Sequence, residues 1–116
     1  MCNEAGQLES ARAALEDRYH FICQEVTAHH CLNGEIISKE FDKGMGVRLV
    51  AGTLGFDIAD TIGFGDSMND LEMIETVGTS VCMENGADAL KAVSDIVCPA
   101  VTEDGLAKAF EQLGLI

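Results

Sequence analysis

Hydrophobic and polar positions follow one rhythm up to about residue 42 and another beyond it. Leu8, Ala11, Leu15 and Arg18 or Tyr19 recur at helical spacing, so residues 7–19 read as an amphipathic helix. The run HFICQEVT at 20–27 is rich in β-formers and roughly alternating, which predicts a strand. Asn33-Gly34 follows, a pair that tolerates positive φ at both positions, and it predicts a two-residue hairpin turn. Glu35–Lys39 is then the return strand, and residues 1–41 form an αββ unit.

From residue 42 to 116 short helices and short strands alternate. Gly44–Leu54 presents Val47, Val50 and Leu54 on one helical face and stops at Gly55, a natural C-cap. Thr61–Gly65 is a short apolar strand, followed by a loop and a helix from Met68 to Val77. Thr79–Met83 is another strand, Ala87–Ser94 a helix, Asp95–Cys98 a strand stopped by Pro99, and Glu103–Leu113 a last helix. Strands alternating with helices predict βαβ units in a mostly parallel sheet, hence an α/β fold.

Composition narrows the function classes. With 47% hydrophobic residues in 116 the chain can bury a core, and with 5% aromatics and no Trp that core must be aliphatic. The net charge of −13 excludes nucleic acid and anionic membrane as partners, because both need clustered Lys and Arg. A free phosphate ester would be repelled too, unless a cation sits in its site. Five cysteines without a C-x-x-C pair fit reduced thiols in a cytoplasmic protein. Neither a signal peptide nor an apolar stretch of transmembrane length is present, so a soluble protein is expected.

The segment Gly65-Asp66-Ser67-Met68-Asn69-Asp70 carries the candidate chemistry. Asp66 ends an apolar strand, where ligands bind in open α/β sheets. Asp70 lies one helical turn further, so both carboxylates can face one point, with the Asn69 amide between them. Two such carboxylates repel unless they share a cation or a proton, and hard oxygen ligands suit Mg²⁺. The alternative is a polar turn in which Asp66 or Ser67 caps the next helix. An EF-hand is excluded because its twelfth position falls on Val77, and a dinucleotide fingerprint because Met68 stands where a glycine is needed. Lys43 opens a helix, against the helix dipole; a bound anion such as phosphate would offset that, and a solvated lysine is the alternative. His29, His30, Cys31 and Cys23 match no zinc spacing, and Cys82 and Cys98 fall in apolar strands as small core residues.

Taken together, GEIISKEFDKG, IGFGDSMNDLEMIETVG, SVCMENGADALKAVSDIV and TEDGLAKAFEQL, in this order over residues 34–116, resemble the haloacid dehalogenase superfamily phosphatases, in their Cof-like branch with a large α/β cap. The resemblance implies half of a Rossmann-like parallel sheet with flanking helices over 42–116, preceded by the end of the cap over 1–41. It implies Mg²⁺ as cofactor and a small phosphorylated metabolite, with sugar phosphates the family-level default. By position, Lys43 resembles the lysine that balances the charge of phosphoryl group and nucleophile, Asp66 the Mg²⁺-ligating aspartate, and Asp70 the second acid that supports the metal directly or through water. Asn69 resembles the asparagine that contacts the phosphoryl group or the nucleophile, and Asn85 the one near the site entrance.

One departure from the family pattern is large. Such enzymes carry an Asp-x-Asp-Gly-Thr motif whose first aspartate attacks phosphorus, and no Asp-x-Asp occurs in this chain; Asp57 and Asp60 have two residues between them. The Ser/Thr motif that normally precedes the cap has no candidate either. The chain is therefore expected to correspond to the C-terminal part of a phosphatase and to be inactive alone; a non-catalytic Mg²⁺- or phosphate-binding module is the alternative. Without the nucleophile strand, Thr61–Gly65 would be an apolar edge, and self-association as a homo-oligomer through it is expected.

Overall fold

The computed structural model describes residues 5–26 and 31–116, and the side chains of 9–21 and 35–116. The chain divides into two compact units, Met1–Asp42 and Lys43–Ile116.

In the first unit, helix α1 (Ala5–Leu15) precedes the antiparallel strands β1 (Tyr19–Val26) and β2 (Cys31–Ser38). The helix ends before Arg18 and Tyr19, and the Arg18 guanidinium lies 5.6 Å from the centre of the Tyr19 ring. The hairpin does not turn at Asn33-Gly34. Both residues lie inside β2, opposite Gln24 and Cys23, and the connection falls between Val26 and Cys31. The reason is ladder length: a turn at Asn33-Gly34 would leave only Glu35–Lys39 to pair, whereas the observed register joins eight positions, including Phe21 with Ile36. Each added cross-strand pair contributes roughly 0.2–1 kcal/mol, enough to override a local turn preference. The positions of His29 and His30 and the side chains of Cys23 and Cys31 lie outside the described residues.

The second unit is built on three parallel strands, β3 (Ile62–Gly65), β4 (Thr79–Met83) and β5 (Ile96–Cys98), in the order β3-β4-β5. The alternation of β4 splits the core in two. Val81 and Met83 pack with Cys98 and with Ala109 of helix α5 (Gly105–Gln112), where Phe64 and Phe110 stack at 4.9 Å. On the opposite side of the strand, Cys82 packs with Ile74 of helix α3 (Leu71–Ile74) and Leu90 of helix α4 (Asp88–Val93). Helices therefore cover both faces of the sheet, as parallel strands require. Ser80 is satisfied in the core by Asp95, whose Oδ2 accepts from the Ser80 amide at 2.8 Å and from its hydroxyl at 2.7 Å.

One helix differs from the expectations. The helix expected from Met68 to Val77 is instead a 3₁₀ turn (Met68–Asp70) that closes the GDSMND loop, followed by a single α-turn, and the Thr79 N–H then enters β4 by donating to the Thr61 carbonyl. Helix α2 (Lys43–Leu54) ends at Gly55, with φ of 77°, yet the residues it buries are Gly44 and Ala51. Val50 and Leu54, on the apolar face of this helix, are 57% and 63% exposed. They line an open groove of about 590 Å³ together with Val47, Phe56 and Ile62.

Candidate active site

The carboxyl end of β3 delivers Asp66 into a short loop with its side chain exposed. Its carboxylate accepts no hydrogen bond among the described residues, whereas its backbone is fully engaged. The Asp66 N–H donates to Asp70 Oδ2 at 3.1 Å, and the Ser67 N–H reaches the same oxygen at 3.4 Å. Asp70 is buried, and Gly65 lies directly against it: a Cβ at Gly65 would stand 2.8 Å from the Asp70 Cβ. So Asp70 turns back onto the loop rather than standing beside Asp66 towards solvent.

Lys43 reaches this loop from the start of α2, across 27 residues of sequence. Its Nζ donates to Asp70 Oδ1 and, at 3.3 Å, to Asn69 Oδ1, which also accepts from the Ser67 hydroxyl at 2.6 Å. The carboxylate of Asp70 is thus the anion that offsets the lysine's unfavourable place at a helix N-terminus. Gly44 makes the reach possible, since α2 passes so close to α3 that a Cβ there would stand 2.4 Å from the Glu72 carbonyl oxygen.

Asn85 is placed differently from the rest. Its Oδ1 accepts the Val101 N–H at 2.9 Å, tying the loop after β4 to the turn after β5. The spacing of residues gave no sign of this bond, because its partner is 16 positions away. The turn that follows Asn85 was also missed: Gly86 packs on the Asp66 carbonyl, and the Ala87 N–H donates to it at 2.9 Å. Burial raises the thiols of Cys82 and Cys98 above their ordinary value, so both are core residues rather than nucleophiles.

Among the described residues there is no cluster of three or more His, Cys, Asp or Glu that could hold a metal ion. The donor set still suits one ion type. Mg²⁺ commonly takes one or two carboxylates and completes its shell with water and phosphate oxygens, and Asp66 is an exposed carboxylate at a strand end. Asp70 accepts from two amides and from Lys43, so it also holds the loop that carries Asp66.

The parallel α/β sheet gathers a lysine and carboxylates at a strand end, and sequence comparison says which class of protein this is. A profile of the haloacid dehalogenase-like hydrolases matches residues 1–110, and the chain belongs to that family. YkrA of Bacillus subtilis is 45% identical over 87 residues, which are 75% of this chain and 34% of YkrA. An uncharacterised protein encoded upstream of pdhA in Geobacillus stearothermophilus is 38% identical over 87 residues, 75% of this chain and 92% of that protein. A phosphoglycolate phosphatase of Methanosarcina mazei is 36% identical over 106 residues, 91% of this chain and 46% of that enzyme. The crystal structure of a hypothetical protein from Geobacillus kaustophilus superposes with a TM-score of 0.77 at 30% identity, covering 99% of this chain and 43% of that one. The chain thus spans between a third and a half of the length of YkrA, the Methanosarcina enzyme and the solved structure. No helix among the described residues is long and apolar enough to cross a membrane.

Proposed function

We propose that this chain forms the Lys43–Asp66 side of a Mg²⁺-dependent active site that hydrolyses small phosphate esters, with sugar phosphates the expected class, in the cytoplasm. One observation carries the reading: a lysine 27 residues distant in sequence is brought onto Asp70 and Asn69 beside the exposed carboxylate of Asp66. In the reaction an aspartate carboxylate attacks phosphorus, the ester P–O bond breaks and the leaving oxygen takes a proton. Water then cleaves the aspartyl-phosphate to inorganic phosphate. A bound Mg²⁺ supplies positive charge to the phosphoryl oxygens. Asp66 would hold it, Asp70 would keep the Asp66 backbone and the Lys43 ammonium in place, and Lys43 would offset the charge of the phosphoryl group. Asn69 would orient its oxygens. The attacking aspartate has no counterpart in these residues, so the chain alone should not turn over an aryl phosphate.

The test is a graft. This chain replaces the matched 106-residue region of the Methanosarcina mazei enzyme, and Mg²⁺-dependent phosphate release from phosphoglycolate is measured. Activity lost on Asp66→Ala or Lys43→Ala supports the reading. A folded graft without activity, or one indifferent to both substitutions, refutes it. Mg²⁺-dependent hydrolysis by the 116-residue chain alone would overturn its incompleteness.

A second reading, a self-associating module, is favoured by β3, which among the described residues pairs only with β4. In the same unit, on and just after α2, Leu49, Val50, Leu54 and Phe56 are 72, 57, 63 and 64% exposed. Such side chains present roughly 60–120 Å² each when fully exposed, so together they offer roughly 150–300 Å², well below the ~800 Å² each partner buries in a stable dimer. A second copy paired along β3 would therefore bind weakly, and the charge of −13 makes the association tighten with salt. A light-scattering mass that stays monomeric to about 1 mM in high salt refutes it.

A further inference from the structure

Asp66 is held on both sides of its backbone, and the two holds come from different parts of the chain. Its N–H is taken by Asp70 at 3.1 Å; its carbonyl accepts the Ala87 N–H at 2.9 Å. The second hold belongs to the turn between β4 and α4. Gly86 sits so close that a Cβ there would stand 2.8 Å from the Asp66 oxygen, 2.9 Å from the Met83 oxygen and 3.0 Å from the Cys82 sulfur. The turn is closed by the Gly86 N–H on the Met83 carbonyl at 2.8 Å. From the far side it is braced by Asn85, whose side-chain oxygen accepts the Val101 N–H at 2.9 Å. Val101 opens the turn after β5 that Gly105 closes by packing on Pro99, where a Cβ would stand 1.7 Å from the Pro99 oxygen.

We propose that Asn85 is a positioning residue for Asp66, bracing through Val101 the turn whose Gly86 and Ala87 seat the Asp66 carbonyl. With both sides of its backbone fixed, Asp66 retains only side-chain torsions, and its carboxylate meets an incoming cation and phosphate ester already placed. This rests on the reading of Asp66 as the metal-holding residue. It adds a role to the expectation that Asn85 stands near the site entrance.

Amide hydrogen exchange in the intact chain, followed by NMR, tests the proposal without metal or substrate. The reporters are the Asp66 and Ser67 amides, both on Asp70 Oδ2. Asn85→Ala should speed their exchange about fivefold, the Boltzmann factor of one ordinary hydrogen bond, while the Thr79 amide at the opposite end of β4 stays within about twofold. Asn85→Asp keeps an oxygen acceptor for Val101 and should restore the original rates. Gly86→Ala, which pushes directly on the Asp66 carbonyl, should exceed the effect of Asn85→Ala. Unchanged Asp66 and Ser67 rates in Asn85→Ala, an equal speeding at Thr79, or no rescue by Asn85→Asp overturns the proposal. Loss of the phosphatase reading would leave these rates untouched, so the two can fail separately.

Discussion

Replacing Gly44 by alanine puts a methyl group where there is no room for one. Its Cβ would lie 2.4 Å from the Glu72 carbonyl oxygen, 2.5 Å from Thr76 Oγ1 and 2.9 Å from the Glu72 carbonyl carbon, against ordinary contacts of 3.4–4 Å. Thr76 can rotate away, but the Glu72 carbonyl is backbone. Helix α2 must therefore retreat by about 1 Å, the difference between 3.4 and 2.4 Å. Overpacking of this kind costs about 1–3 kcal/mol. Alanine also favours a helix over glycine by about 0.5–1 kcal/mol, which partly hides the clash. Gly46 supplies the control, being in the same helix with nothing within 4 Å of an added Cβ. Gly46→Ala should gain the propensity term alone, so the difference between the two variants isolates the steric cost at about 1–3 kcal/mol. At roughly 4 °C per kcal/mol for a chain of this size, their melting temperatures by circular dichroism should differ by about 4–12 °C. Urea midpoints should rank them the same way. Equal melting temperatures, or a Gly44→Ala variant more stable than the parent, would refute the claim that close approach at Gly44 carries Lys43 to Asp70.

Further expectations follow from the same geometry. Asp70→Ala should destabilise more than Lys43→Ala, because Asp70 is 9% exposed and leaves two amides unpaired, whereas Lys43 at 50% exposure returns to water. Loss of about 1–3 kcal/mol against less than about 1 in urea titrations would show it, and the reverse order would refute it. Leu90→Ala, at a fully buried position between α3 and β4, should cost about 2–5 kcal/mol in the same assay, and a cost below about 1 would contradict its place in the core. Asp95 is held below its ordinary value of 3.8, first by the Ser80 amide and then by the Ser80 hydroxyl. A carboxylate lowered on folding contributes stability that is complete above 3.8 and lost as pH falls through its folded value. Acid unfolding below pH 3.8 should therefore be shallower in Asp95→Asn, and identical acid limbs in parent and variant would refute this.

Much of this protein could be read from local pattern alone. The alternation of short apolar strands with helices determined an α/β chain with parallel pairing, and the strand expected at Thr79–Met83 has those bounds in the structure. The GDSMND loop was legible because its parts lie within six consecutive residues at a strand end, where adjacency in sequence is adjacency in space. What depends on distant partners was not. The hairpin register ignored Asn33-Gly34 because eight paired positions outweigh one turn preference. The apolar face of α2 was legible, but that Gly44 and Ala51 are the residues it buries was not, since what a helix covers is decided by the neighbour it meets. Asp70 was read as an acid supporting a metal directly or through water; that its oxygens accept from two amides and from a lysine 27 positions away was not legible. Sequence alone thus determined which groups reach the strand end. Tertiary structure decided which of them are committed to holding the loop and which, Asp66 above all, stay exposed, because a carboxylate's role is set by the hydrogen bonds it already makes.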